Sequence, residues 1–349
     1  MVTGVPQQGR TRSPGTGLQH LYPGYFALVM ATGIISTAFE VTGFAPLSWA
    51  LLTVALLGYA VLVVLYVARL VRYPNAFLVD TADASRAFGF FTFVAASVVV
   101  GLRLALSGQA GIFAALAILA ALAWVLCSYA LVPRVVMRPV KGTVRQEVTG
   151  AWLIWVVATQ SLALAAARGS EFWPGGRGFL ELSAVSLWSA GSCLYLLLMA
   201  VLLARLLLVP TERQDLSPTY WINMGATAIS VFAGASILGL PDVPGLVHLV
   251  GPTVAGVSFM LWAFGTWWFP LLVVLTLWRV FGRTGLRRYD PALWSVVFPL
   301  GMYSVASMAL GRALHSAALI TVGTDESWLA LAGWGVTLGL MFWSWAYQG

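Results

Sequence analysis

The chain has 349 residues, 60% of them hydrophobic and 9% charged, with a formal net charge of +7. So little charge cannot cover a soluble globule of this size, so the bilayer serves as solvent. The positive balance does not point to nucleic acid, because it sits in short segments between apolar runs, where it signals membrane orientation.

In chain order, residues 1–20 are polar and Gly/Pro-rich, carry Arg10 and Arg12, and lack a small-residue cleavage signal. They read as a disordered cytoplasmic tail ahead of a single transmembrane domain, 21–349. The domain is all-α. Ten apolar spans fall near 22–40, 47–69, 87–106, 111–132, 148–168, 182–208, 219–239, 251–281, 292–313 and 327–347. Each is long enough to cross a core of about 30 Å at about 1.5 Å per residue. The linkers are short except 169–181, which is expected to cap an outer mouth. Pro270, in TWWFP, predicts a tilted or kinked eighth span. Cys127 and Cys193 lie within spans and read as buried apolar residues with no disulfide or metal spacing.

Basic residues set the orientation. With the N-terminus inside, the cytoplasmic segments hold Arg10, Arg12, Arg69, Arg72, Arg86, Arg134, Arg138, Lys141, Arg145, Arg205, Arg213, Arg279, Arg283, Arg287 and Arg288. The opposite side holds Arg103, Arg168, Arg177 and Arg312. This asymmetry puts both termini in the cytoplasm of a multi-pass protein of the cell membrane.

The spans alternate in character. Odd ones carry Gly, Ser, Thr and aromatics; even ones are mostly Leu, Val and Ala. That predicts five helical hairpins in a quasi-five-fold arrangement, each giving one helix to the wall of a central pore and one to lipid. A stripe spaced four, three and four recurs on the odd spans. The predicted lining is Phe26, Met30, Gly33 and Thr37; Phe90, Ser97 and Gly101; Trp152 and Thr159; Asn223, Thr227, Ser230 and Gly234; and Phe298 and Met302. Close packing of membrane helices would also select small residues on such faces.

No ionisable residue falls near the middle of a proposed span, which argues against a buried proton relay. Anions remain compatible, since hydroxyls, helix N-termini and cationic mouths can stabilise them. Arg103, Arg168 and Arg312 end three odd spans and could form an outer electropositive vestibule; snorkelling to headgroups is the alternative. His20, His248 and His315 have no ligand-like spacing, and no nucleotide, hydrolase or metal motif is present. No enzyme, cofactor or metal is therefore expected. In LWSVVFPLG, Pro299 cannot donate to the Ser295 carbonyl, and the resulting kink could push Phe298 into a pore.

Four segments, YPGYFALVMATGIIS (22–36), PTYWINMGATAIS (218–230), GTWWFPLLVVLTLWR (265–279) and LWSVVFP (293–299), resemble the tellurite-resistance/dicarboxylate transporter family. That family includes TehA-type proteins, malate and sulfite transporters and plant slow anion channels. The resemblance implies a homotrimer, a separate pore in each protomer within five inner and five outer helices, and Phe298 as the occluding aromatic. The VMATG of the first span is similar to the malate and sulfite branch. The expected function is passage of small anions (C4-dicarboxylates such as malate, tellurite or sulfite oxyanions, chloride or nitrate), with lipid the other partner. The alternative is a proton-coupled dicarboxylate carrier, for which Glu147 and Asp290 are the interfacial titrating candidates; a polytopic enzyme or sensor is more remote.

Overall fold

A computed structural model describes residues 17–139, 142–240, 245–281 and 289–348. The predicted tail falls mostly outside them, as do Arg10, Arg12, Lys141, Arg283, Arg287 and Arg288. Of the residues assigned to the tail, Leu18–His20 form a 3-10 turn, and the Gln19 carbonyl accepts from Arg69 Nε at 3.2 Å.

Ten long helices follow: α1 Phe26–Val41, α2 Ala45–Arg72, α3 Phe91–Leu106, α4 Ala110–Leu126, α5 Leu153–Phe172, α6 Arg177–Leu208, α7 Ile222–Leu238, α8 Leu246–Val280, α9 Trp294–Ala313 and α10 Ala317–Gln348. Nine helical stretches among the described residues are long and apolar enough to cross a membrane; they contain α1 to α9. The tenth predicted span coincides with helix α10, which is not among those nine: Asp325, Glu326 and many Gly, Ser and Trp residues dilute its hydropathy.

Each odd helix packs on the even helix that follows it, so the five hairpins are real. The odd helices also pack on one another in a closed ring: α1 on α3, α3 on α5, α5 on α7, α7 on α9, and α9 back on α1. Burial separates the two sets. In the odd spans 72–94 % of the apolar window is buried, against 17–33 % in α2, α4, α6 and α8. Gly, Ala, Ser and Thr let the inner backbones approach closely, whereas the branched residues of the even helices present apolar surface outward.

The five inner helices share an entry. Each begins with a 3-10 turn: Pro23–Tyr25, Phe88–Phe90, Gly150–Trp152, Pro218–Trp221 and Pro291–Leu293. Neighbouring turns touch all the way round, forming a second closed ring at the N-terminal end of the inner helices. Proline opens three of the turns, where its missing N–H is unpaired in any case. Ser217 and Asp290 cap two of them by accepting from the Thr219 and Ala292 N–H groups. Between the third and fourth turns the backbones nearly touch, because a side chain on Gly150 would collide with the Thr219 carbonyl.

Around this end the arginines counted for orientation are largely paired. Asp80 binds both Arg69 and Arg86, Glu147 binds Arg138, and Arg145 reaches Glu212 and Asp215. Partial desolvation raises the Asp215 carboxyl, but the Glu212 N–H and Arg145 outweigh it and hold the group below its ordinary value.

Two local expectations change. The 169–181 linker is mostly helix: α5 runs to Phe172, a 3-10 turn spans Pro174–Gly176, and α6 starts at Arg177. Cys127 is buried, in a π turn (Cys127–Leu131) that lets the chain continue past Pro133, but Cys193 is exposed on outer helix α6. The eighth helix runs unbroken through Pro252 and Pro270.

Candidate functional site

The C-terminal ends of the inner helices enclose a cavity of about 320 Å³. All five contribute to it: Thr37 from α1, Leu102 from α3, Arg168 and Glu171 from α5, Phe232 and Ser236 from α7, and Val305, Ala309 and Arg312 from α9. Thr37 donates to the Gly33 carbonyl at 3.0 Å, as a hydroxyl on an apolar helix commonly does. Arg312 is exposed and has no acidic partner among the described residues, whereas Arg168 donates to Glu171 Oε1 at 3.0 Å across one helical turn. The opening therefore carries two guanidinium groups and one carboxylate.

Arg103 departs from the predicted vestibule. Its side chain is 0 % exposed and points away from the cavity, into the junction of the first two hairpins. It donates to Glu40 Oε2 at 2.6 Å, to Ser48 Oγ at 2.9 Å and to Ser107 Oγ at 2.6 Å, and its guanidinium lies over Trp49. Ser36 and Ser48 tie α1 to α2 beneath it by each donating to the other's carbonyl at 2.7 Å. A guanidinium in this environment needs its charge and donors satisfied locally, and Glu40 with the three serines does so.

Phe298 and Pro299 lie inside α9, and Phe298 is 2 % exposed. Phe298, Val305, Ala309 and Arg312 are spaced seven, four and three, so the aromatic is on the cavity-lining face, two turns below Val305. Its ring rests against Gly225 of α7.

Much of the predicted lining turns to the outer helices instead. Ser97 pairs with Tyr59 of α2 at 2.8 Å; Thr159 accepts from Trp124 of α4 at 2.9 Å; Asn223 Oδ1 accepts from Tyr195 of α6 at 2.7 Å. Thr227 points at Gly265 of α8, and Phe26 packs on Tyr59 and Tyr66 of α2. A side chain on Gly101 would meet Phe113 of α4, and one on Gly234 would meet Ser258 of α8 and Trp188 of α6. Gly33 faces Val99 of α3, Phe90 packs on Phe77, and Trp152 on Phe88. Ser230 donates to the Ala226 carbonyl at 2.7 Å; Met30 and Met302 are buried.

The physical reason recurs around the bundle. Indole N–H groups of Trp124, Trp155, Trp221, Trp262 and Trp334 each donate to a Ser or Thr hydroxyl on a neighbouring helix. In hydrocarbon an unpaired donor is costly, so hydroxyls serve as acceptors between helices, Thr32, Thr159 and Ser307 on the inner ones and Ser128 and Thr276 on the outer side. Thr37 is the predicted hydroxyl that reaches the cavity; the register was off by one or two residues on α3, α5 and α7, enough to rotate the face away.

Sequence reasoning also missed three residues. Glu171 was legible as the i,i+3 partner of Arg168. Gly225 had no signal beyond a small residue in NMGAT. Glu326 was placed outside the tenth span, but α10 begins ten residues earlier than predicted, so Glu326 lies within that helix, and its Oε1 is buried with no hydrogen-bond partner. The two interfacial candidates are engaged: Glu147 pairs with Arg138, and Asp290 caps Ala292 and lies 3.6 Å from Arg279.

Comparison with known proteins agrees with this architecture. Residues 20–342 match the SLAC1 family model, described as voltage-dependent anion channel. An uncharacterized membrane protein of Mycobacterium tuberculosis strain H37Rv is 47% identical over 149 residues, covering 42% of this chain and 75% of that protein. An uncharacterized transporter of Methanocaldococcus jannaschii is 25% identical over 328 residues, covering 90% of this chain and 92% of the relative. With its family match running through every inner helix, the chain is a multi-pass membrane protein that belongs to the voltage-dependent anion channel family, a family of transport proteins and not of enzymes.

Proposed function

We propose that the protein is a passive channel for small anions in the cytoplasmic membrane. Its path would follow the axis of the inner-helix ring, with the Arg168/Arg312 cavity as the outer vestibule and Phe298 as the gate. The observation that carries this reading is one cavity walled by all five inner helices, with Phe298 on the lining face of α9 below it. The two guanidinium groups outweigh Glu171 by one positive charge, which raises the local anion concentration, and the low-dielectric walls focus the field. At the other end, the ring of helix entries presents five N-termini, each equivalent to about half a positive charge. Anions are thus favoured at both ends without a fixed charge midway. Chloride, nitrate, sulfite, tellurite and C4-dicarboxylates such as malate are the substrate candidates, in a homotrimer with both termini cytoplasmic.

Flux into proteoliposomes tests the reading. Anion uptake down a concentration gradient, independent of a pH gradient, is the expected result; no anion flux from monodisperse protein would overturn it. Converting Arg168 and Arg312 together to Gln should lower uptake several-fold at low ionic strength. The difference should fade above about 0.1 M salt, where charges about 10 Å apart are screened. An equal loss at every salt concentration would remove the vestibule from the mechanism.

A proton-coupled carrier is the second reading, and Glu326 is what favours it, because its unpartnered carboxyl oxygen is buried in α10. Its neighbour Tyr303 is occupied with Thr266 at 2.7 Å. For a passive channel, Glu326→Gln leaves gradient-independent flux at the wild-type level. Malate uptake driven by a pH gradient in the wild type and lost in Glu326→Gln would establish the carrier instead.

A further inference from the structure

We propose that Gly225 of α7 is the seat of the Phe298 gate: the missing side chain there is what allows the aromatic ring to close. The inference rests on Phe298 being the gate and assigns the surface it closes against. A Cβ at position 225 would stand 3.2 Å from Cε1 and 3.3 Å from Cδ1 of Phe298, and 3.0 Å from Cγ of Pro299. All three approaches are closer than ordinary van der Waals contact.

The neighbours differ in what they can do. Pro299 Cγ can give the few tenths of an ångström it needs through ring pucker, while the rest of that ring is fused to the backbone of α9 and moves only with the helix. Helix α9 is blocked on its other side, because a Cβ on Gly301 would already come within 2.8 Å of Ile34 and 2.9 Å of Ile35 on α1. It is thus wedged between α7 and α1 within a single turn, with a glycine at each contact. The soft coordinate that remains is the Phe298 side-chain torsion. With a methyl group at 225 the contact with Phe298 is therefore relieved by the ring leaving its place against α7. Glycine within a helix is disfavoured relative to alanine, and at this position the space it leaves for the ring offsets that cost.

The test is a double-mutant cycle on chloride flux in proteoliposomes, with Gly225→Ala placed in the wild type and in Phe298→Ala at matched protein content. The expected result is a rise of roughly three- to tenfold in the wild-type background, as an off-rotamer strain of ordinary size would produce. In Phe298→Ala the same substitution should change nothing, since no ring remains to displace. Unchanged flux for Gly225→Ala in the wild type overturns the seat while leaving the gate intact. An equal rise in both backgrounds also overturns it, because the effect would then pass through helix displacement. Wild-type flux in Phe298→Ala alone overturns the gate, and the seat with it. Should Gly225→Ala lower the yield, Phe298→Val supplies a stability readout: recovery of the thermal midpoint in the double variant supports a clash with the ring, and no recovery refutes it.

Discussion

Phe298→Ala is expected to raise anion flux by about tenfold to a hundredfold over the wild type at equal expression. The side chain is 2 % exposed and rests against Gly225, so under the proposed gating role the closed arrangement gains the burial of a phenyl ring. Full burial of such a side chain is worth about 1.5–3 kcal/mol. Every 1.4 kcal/mol is a factor of ten in an equilibrium, so losing the ring shifts closed toward open by one to two decades. Phe298→Leu keeps part of the bulk and should fall between the two. Proteoliposome uptake of chloride, nitrate, sulfite and malate, normalised to monodisperse protein, reads both the gain and the anion ranking. Flux at the wild-type level in Phe298→Ala would mean that the ring is packing and nothing more.

Arg103→Gln is expected to cost stability and to leave the electrostatics of permeation untouched. The guanidinium is buried, joins Glu40 of α1 to Ser48 of α2 and Ser107 at the end of α3, and is absent from the cavity lining. Removing one partner of a buried ion pair typically costs about 3–5 kcal/mol, because the other charge loses its compensation. Glu40 is partly exposed, so the lower end of that range applies. The check is the thermal midpoint in detergent, which should fall by several degrees in Arg103→Gln and recover in part when Glu40→Gln is added. Surviving protein should keep the wild-type salt dependence of flux, in contrast to the Arg168/Arg312 variant. A stable Arg103→Gln protein with reduced low-salt flux would return Arg103 to the vestibule.

Sequence alone determined the solvent, the hairpin order and which helices lie inside. Membrane burial acts on whole segments: a span rich in Gly, Ser and Thr packs against other helices, and one rich in Leu and Val can face lipid. Composition summed over twenty residues therefore carried that information for α1 to α9. The rotation of each helix about its axis was decided by the tertiary structure, because one residue of register turns a face by about 100°. Ser97, Thr159 and Asn223 have the residue types of a polar lining, yet Tyr59, Trp124 and Tyr195 needed hydrogen-bond partners and claimed them. Arg103 and Arg168 look alike at the ends of odd spans; Glu40 draws one into the packing, while the other remains at the cavity. The ring of 3-10 entries and the fit of Phe298 against Gly225 depend on backbones from distant segments meeting in space, and short-range pattern does not encode such contacts.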